Sequence, residues 1–390
     1  MKIYEIGTGY TPVPARVSAA TESVVEELTK AYMQMGCSVE IIDIASNDRA
    51  PNDLPITEVK VPSVFSKTDV ALGLVHKLKR VVYSVCLAFR LRKILANEKE
   101  RVVLHFHNQY NMFFFLKLVP KKIRSRFFLA YTNHNGMWSL PWNEVSGTLK
   151  KRYFQEIEAM KNADAVFVLN ESMRRNIVGN LGLSAEKVVL IGNGVNTDVY
   201  RPLTDDEKNS IKENFGIRGK KIILQVGSVN ENKGQMKVLE ILTPALKKHS
   251  DLVYAFAGEI VSAEYHEKIL ADAVRLGVEK QVKYLGAFAP NEEMNGIYNI
   301  AHATVIASRY EGFPLVCVES LSAGVPVIVC GDMCVAVGDG CVCESDSEKI
   351  SNIIYDSEKH GKLCAAAREN AVKNLTWQSV AAKYYDRFGR

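Results

Sequence analysis

Tyr310-Glu311-Gly312-Phe313-Pro314-Leu315-Val316-Cys317-Val318-Glu319-Ser320 decides how the rest of the chain is read. Ahead of it, Ala303 to Ala307 is the short apolar run of a buried strand. Behind it, Leu315 to Ala323 has helical spacing that Gly324-Val325-Pro326 ends. The reading is a strand, a tight turn carrying Glu311 and Gly312, and a helix beginning near Pro314, whose missing N–H costs nothing in a first helical turn. A glycine-containing approach to a helix N-terminus gathers free amides and favours an anion. Seven residues separate Glu311 from Glu319, which puts one carboxylate in the mouth of this site and the other about one and a half turns into the helix. Two glutamates at that spacing are most often just solvated. Here they bracket a predicted strand C-terminus, where open α/β sheets take their ligands.

Similar units surround this stretch. Lys221 to Val226 reads as a strand, followed by Gly227-Ser228-Val229-Asn230-Glu231-Asn232-Lys233-Gly234 and a helix from Gln235 to Lys248. Leu252 to Ala257 is a strand that ends in Gly258-Glu259, and Val282 to Leu285 another that ends in Gly286. A helix covers Asn291 to Asn299, helices fill 346–373, and a last helix runs from Trp377 to Arg390. Upstream, Gly192-Asn193-Gly194-Val195-Asn196 is glycine- and asparagine-rich chain between two α/β units and marks a domain boundary.

The first half opens with a strand from Lys2 to Gly7. Its Gly7-Thr8-Gly9 turn resembles a dinucleotide fingerprint, but Pro12 occupies the third glycine position, and a lone G-x-G is weak. Ser18 to Met35 is an amphipathic helix with Val24, Val25, Leu28, Ala31 and Tyr32 inward, and Ser38 to Ile44 returns as a strand. Residues 46–70 read as a long polar loop, and His76 to Leu95 as a basic amphipathic helix. Val102 to His107 is a strand ending in histidine, and Met112 starts a short helix. Phe127 to Thr132 is a further strand that delivers Asn133-His134-Asn135-Gly136, so His107 and His134 sit at strand ends. Ala163 to Leu169 and Val188 to Ile191 complete the half.

A chain of 390 residues with 47% hydrophobic content supports two domains. No run of 18 apolar residues appears, and the N-terminus enters a strand without the pattern of a signal peptide. Eight cysteines without a C-x2-C pair suggest reduced thiols in a cytoplasmic protein. Cys330, Cys334, Cys341 and Cys343 cluster in sequence but fit no standard zinc spacing. The net charge of +5 is uneven: residues 1–180 carry 25 Lys/Arg against 17 Asp/Glu, or +8, and the remainder carries −3. From His76 to Arg126 there are 13 basic and 2 acidic residues. That excess implies an anionic partner. Its interleaving with aliphatic and aromatic side chains favours an anionic membrane surface at the inner face of the cell membrane. No nucleic-acid recognition motif is present.

The Glu311–Glu319 stretch resembles the E-x7-E motif of retaining glycosyltransferases of the GT-B fold, family 4. Asn133-His134-Asn135 resembles that family's T-x-H-D element, with Asn135 in place of Asp. Gly192 to Pro202 resembles its N-G-V-D hinge, and Gly227 to Gly234 its G-R-L-x-x-x-K-G, with Lys233 kept and Ser228 in place of Arg. At the first helix mouth, Ala19-Ala20 stands where the family has Gly-Gly, and Gly36-Cys37 where it has Gly-His.

The resemblance implies an α/β, GT-B fold: two Rossmann-like domains facing an interdomain cleft, residues 1–195 binding acceptor and 196–375 binding nucleotide sugar, with helix 376–390 crossing back to the first. It implies catalytic roles for His134, Glu311 and Lys233. Donor contacts are implied at Glu319, Gly312, Phe313, Pro314, Leu315, Gly227, Ser228, Gly258, Tyr284 and Leu285, and acceptor-side positions at Ala19, Ala20, Arg16 and His107. Glu319 would hold the ribose, Glu311 and His134 the sugar, and Lys233 the diphosphate. Arg16 or Arg309 would stand in for the cation missing at Ser228. The expected activity is transfer of a hexose or HexNAc from a nucleotide-diphosphate sugar, UDP-sugar first and GDP-mannose second, to a lipid-linked or cell-surface glycan in bacterial polysaccharide assembly. No cofactor is expected, and with no Asp-x-Asp anywhere in the chain, no metal. The alternatives are a sugar-nucleotide epimerase of the same fold and a non-catalytic sugar-nucleotide-binding subunit; a nicotinamide oxidoreductase is disfavoured by the broken fingerprint.

Overall fold

A computed structural model describes residues 1–14, 20–62, 74–289, 292–330 and 338–389. The chain divides into two compact units, Met1–Gly192 with Trp377–Arg390, and Asn193–Thr376. Each is an open parallel sheet flanked by helices.

The first unit has seven strands: β1 Lys2–Ile6, β2 Ser38–Ile44, β3 Ile56–Val59, β4 Val102–Phe106, β5 Phe128–Asn133, β6 Ala165–Val168 and β7 Val188–Leu190. Their order is β3-β2-β1-β4-β5-β6-β7, with every neighbouring pair parallel. Strands covered on both faces read as near-continuous apolar runs. β6 obeys this throughout, and both it and β4 are fully buried. Two exceptions sit at the centre: Glu5 in β1 and His105 in β4 are wholly buried and lie opposite each other in the register.

The strand order reverses between β1 and β4, the point at which such sheets open a crevice at their carboxyl ends. The helix Ala20–Gln34 buries Val24, Val25, Leu28, Ala31 and Tyr32 as the periodicity requires. The helix Trp377–Gly389 packs Trp377, Val380, Ala381, Tyr384 and Phe388 into the same core as Ile3, Leu28 and Phe167. The C-terminal helix therefore belongs to the first unit.

The second unit has six parallel strands: β8 Lys221–Val226, β9 Leu252–Ala257, β10 Val282–Tyr284, β11 Ala303–Ile306, β12 Val327–Val329 and β13 Cys341–Cys343. Their order is β10-β9-β8-β11-β12-β13, so its reversal lies between β8 and β11.

The structure differs from the sequence expectation at two places. The supposed loop 46–70 contains β3, a four-residue edge strand pairing with β2; it is too short for a periodic signal. Pro314 stands at the N-cap of the helix Leu315–Ser322 rather than inside its first turn. Ala19, Arg16 and Cys334 lie outside the described residues. No helix among the described residues is long and apolar enough to cross a membrane.

Candidate functional site

In the second unit, the residues singled out in the sequence converge on the carboxyl ends of β8, β9, β10 and β11. The loops after β8 and β11 leave the sheet on either side of the strand-order reversal and are tied together there. Arg309 donates its backbone N–H to the Asn232 carbonyl at 2.8 Å, and the Asn232 amide donates to the Tyr310 carbonyl at 3.3 Å. The loop carrying Lys233 is anchored from beneath. Tyr254 Oη donates to Gln225 Oε1 at 2.6 Å, and Gln225 Nε2 donates to the Lys233 carbonyl at 2.7 Å. Both anchors are buried. This fixes Lys233 so that its Nζ pairs with Glu311 Oε1 across the crevice; the ammonium side chain is 25% exposed and the carboxylate 16%. A partly exposed cation at this position can exchange its carboxylate for an incoming anion.

Glu319 lies on the helix Leu315–Ser322. Its Oε2 accepts from Tyr298 Oη at 2.7 Å, and Tyr200 adds a second hydroxyl. Burial nevertheless pushes its carboxyl above the usual range. Phe313 and Leu315 are half-buried against the core, and Pro314 is buried. Gly227 and Gly258 end β8 and β9 with φ of 146° and 141°. A Cβ on Gly258 would stand 2.2 Å from the Gly227 carbonyl oxygen, so the two strand ends approach as backbone against backbone. Tyr284 spends its hydroxyl on the Gly258 carbonyl at 2.8 Å, and Leu285 is buried in the core. At Ser228 the hydroxyl accepts from Asn230 at 2.8 Å and carries no charge. The exposed side chain of Arg309 emerges from the adjoining loop.

In the first unit, the ends of β1, β4 and β5 bring together a polar group that sequence reasoning found only in part. Glu5 Oε1 accepts from His105 Nδ1 at 2.9 Å, and Glu5 Oε2 from His107 Nε2 at 2.7 Å. His107 Nδ1 lies 3.0 Å from His134 Nε2, and His105 Nε2 lies 2.7 Å from Thr132 Oγ1. His107 and His134 are thus joined directly. Glu5 and His105 were missed, although a charged residue inside a six-residue apolar strand and the His-x-His at the end of another were the available signals.

Burial pushes the Glu5 carboxyl up, but the two imidazoles outweigh it and hold it down to about 2. Burial, aided by His105, holds His107 down to about 4, and His134 lies well below its ordinary value for the same reasons. The ligand atoms of Glu5, His105 and His107 lie within 4.8 Å of one another. Each facing atom hydrogen-bonds within the group, and each ring's second nitrogen has a partner as well.

Asn135 donates its side-chain amide to Glu156 Oε2 at 2.9 Å. An aspartate there would set two carboxyl groups against each other. The Gly-x-Gly turn after β1 is filled by the protein itself: a Cβ on Gly9 would stand 2.1 Å from the Tyr83 ring, and Asn111 donates to the Gly7 carbonyl at 2.9 Å. That leaves no approach for a pyrophosphate over Gly9. Ala20 is exposed at the start of its helix.

The basic helix, Leu74–Ala96, buries Tyr83, Leu87, Ala88, Leu91 and Leu95. It leaves Lys77, Arg92 and Lys93 exposed beside Leu78 and Phe89, which are 52% and 53% exposed. The central apolar run is therefore core, and the outer face mixes cations with two large apolar side chains.

The family model described as glycosyl transferases group 1 matches residues 206–374, and that described as glycosyltransferase family 4 matches residues 21–199. Mannosylfructose-phosphate synthase of Agrobacterium fabrum is 24% identical over 253 residues, 61% of this chain and 55% of the relative. D-inositol 3-phosphate glycosyltransferase of Corynebacterium aurimucosum is 27% identical over 242 residues, 58% of this chain and 57% of the relative. The chain thus spans a little over half the length of these curated relatives. Anabaena HepE, solved with UDP and glucose, superposes with a TM-score of 0.72 at 15% identity, covering 100% of this chain and 99% of that one; at that identity the likeness shows the fold. With two adjoining models of one family accounting for both units, the chain belongs to the group 1, family 4 glycosyltransferases of the GT-B fold.

Proposed function

We propose that the second unit holds a nucleotide-diphosphate sugar over the carboxyl ends of β8 and β11, and that the protein transfers its hexose or HexNAc, with retention, to an acceptor bound by the first unit. The observation that carries this reading is the meeting of Lys233 and Glu311 at the strand-order reversal, beside the N-terminus of the helix that bears Glu319. In this reading Lys233 and the turn amides around Gly312 and Phe313 offset the charge of the departing diphosphate. Glu311, released from Lys233, accepts from sugar hydroxyls. Glu319, oriented by its two tyrosines, accepts from the ribose diol. Arg309 supplies the second cation that Ser228 lacks. A diphosphate is already a good leaving group, so positioning supplies much of the rate, and a protein cation takes the part a metal plays elsewhere.

A UDP-sugar is the first choice of donor and GDP-mannose the second; the UDP bound to HepE supports that order. The exposed cations and apolar side chains of Leu74–Ala96 support docking on an anionic membrane, with a lipid-linked or cell-surface glycan as acceptor. A second reading, a small phosphorylated acceptor, is favoured by the names of the two relatives, both of which carry a sugar or inositol phosphate.

Titration of the protein with UDP, GDP and their sugar conjugates by calorimetry, for wild type and Glu319→Ala, tests the donor assignment. A single preferred nucleotide whose affinity falls about tenfold or more in the variant is expected, as for loss of a hydrogen bond to a charged group. Equal affinity in the two proteins would contradict the ribose assignment. Incubation with the sugar nucleotide alone separates the epimerase, which would give an isomerised product with no acceptor.

A further inference from the structure

The hydrogen bonds among Glu5, His107 and His134 determine where each hydrogen sits. Glu5 is fully buried, and each of its oxygens faces an imidazole nitrogen, at 2.9 Å and 2.7 Å. The two imidazoles hold the carboxyl down to about 2 against the effect of burial, so it is ionised at neutral pH and only accepts. His107 Nε2 therefore carries the hydrogen in their contact. His107 is held neutral by burial, and a neutral imidazole with its hydrogen on Nε2 has a bare Nδ1. That Nδ1 lies 3.0 Å from His134 Nε2, so the hydrogen between the two rings belongs to His134. His134 is neutral as well, and its own Nδ1 is left bare. The ring is half-buried and makes no other hydrogen bond among the described residues.

We propose that Glu5 and His107 are positioning residues that lock His134 in the tautomer with its hydrogen on Nε2, so that it presents Nδ1 outward as a hydrogen-bond acceptor. A bare ring nitrogen repels an ionised phosphate oxygen and attracts a hydroxyl. The group that meets His134 is therefore a hydroxyl, of the transferred sugar or of the acceptor, and not the diphosphate. This last step rests on the nucleotide-sugar reading above; the tautomer does not. The chain of contacts also explains why a charged residue is tolerated in the middle of β1. Its two imidazole partners are supplied by one neighbouring strand, at the opposite register position and two residues on.

The test is a long-range proton–nitrogen correlation spectrum of the protein with nitrogen-15 histidine at neutral pH, the His134 signals being assigned by their loss in His134→Asn. The expected spectrum shows His134 with its hydrogen on Nε2 and an unprotonated Nδ1. A hydrogen on Nδ1, or a doubly protonated ring, overturns the proposal. This readout needs no substrate. Failure to bind any nucleotide would sink the functional reading while the spectrum still decides the tautomer.

In Glu5→Gln the amide can offer either its oxygen or its NH2 to His107, so the bias on His134 is lost. Mixed tautomers and a kcat lower by roughly 10- to 100-fold are expected, with the donor KM within about twofold. Glu5→Asp, which keeps the charge, recovers part of the kcat. A folded Glu5→Gln protein with the wild-type tautomer, or a loss expressed in the donor KM alone, speaks against a positioning role.

Discussion

Replacing Lys233 with methionine removes the ammonium and keeps most of the apolar stem. Among the described residues that ammonium is paired only with Glu311, and the pair is partly exposed. A hydrogen bond to a charged group contributes about 1.5–3 kcal/mol. The exposure argues for the lower half of that range, since solvent screens exposed pairs. The variant also takes the lysine cation away from the Glu311 carboxylate beside the incoming diphosphate, which adds repulsion. Together these predict a UDP dissociation constant raised by roughly 10- to 50-fold, 1.4 kcal/mol being a factor of ten. The double variant Lys233→Met/Glu311→Gln, lacking the repelling carboxylate, should regain several-fold of that loss. Calorimetry at low and high salt is the assay. The gap between wild type and Lys233→Met should narrow as salt rises, because the lost term is electrostatic. Equal UDP affinity in wild type and Lys233→Met at low salt would refute the assignment of this lysine to the diphosphate, and a double variant weaker than the single would refute the repulsion from Glu311.

Other consequences are open to simpler measurements. Gly258→Ala combines a positive φ with a 2.2 Å approach to the Gly227 carbonyl oxygen, so a loss of roughly 2–4 kcal/mol in stability is expected; an unchanged melting temperature would show that the two strand ends are not so close. Ser228→Arg should leave UDP affinity within about twofold, because Arg309 already supplies the second cation; a tightening of about tenfold would show that Arg309 does not fill that place. Reversal of Lys77, Arg92 and Lys93 to Glu should abolish sedimentation with anionic vesicles, each cation near such a surface contributing about 1 kcal/mol, while leaving UDP binding intact; unchanged sedimentation would remove this helix from the membrane account. Acidification should destabilise the protein in two stages. His107 has a folded value near 4, below its unfolded value. The unfolded chain therefore takes up the proton first, and stability falls from about pH 6.5 down to 4, by up to roughly 3 kcal/mol. Glu5, depressed to about 2, contributes stability that is present above its unfolded value and is lost as pH falls from about 4.5 through 2. Denaturant titrations across this range check the sign: a protein most stable near pH 4 would contradict it.

The alternating strand and helix pattern made the α/β class legible, because fully buried parallel strands are nearly pure apolar runs and helices facing a sheet keep a 3.6-residue period. Val24, Val25, Leu28, Ala31 and Tyr32 mark one such face. Lys233 and Glu311 were legible because each sits in the loop beyond a strand C-terminus, a place where chemistry collects irrespective of sequence detail, and Glu319 because it lies on the helix that follows that loop. β3 was not, because four residues on a sheet edge carry no period. Glu5 was not, because its partners are about a hundred residues away, and only the strand order β1-β4-β5 sets it beside His105 and within reach of His107. The central run of the basic helix looked like part of a surface but is core, since charge counts do not tell which face of a helix the sheet covers. The glycines at 7 and 9 read as a weakened ligand turn; the Tyr83 ring, supplied from a distant helix, occupies the space over Gly9.

The claim on which the rest depends is that nucleotide binds over the helix Leu315–Ser322. A crystal structure with UDP or GDP tests it most directly. The account predicts the diphosphate within hydrogen-bond distance of Lys233 Nζ and the amides of the 311–314 turn, with the ribose hydroxyls on Glu319. A nucleotide lodged instead at the Gly7-Thr8-Gly9 turn of the first unit, or held with its ribose away from Glu319, would contradict it.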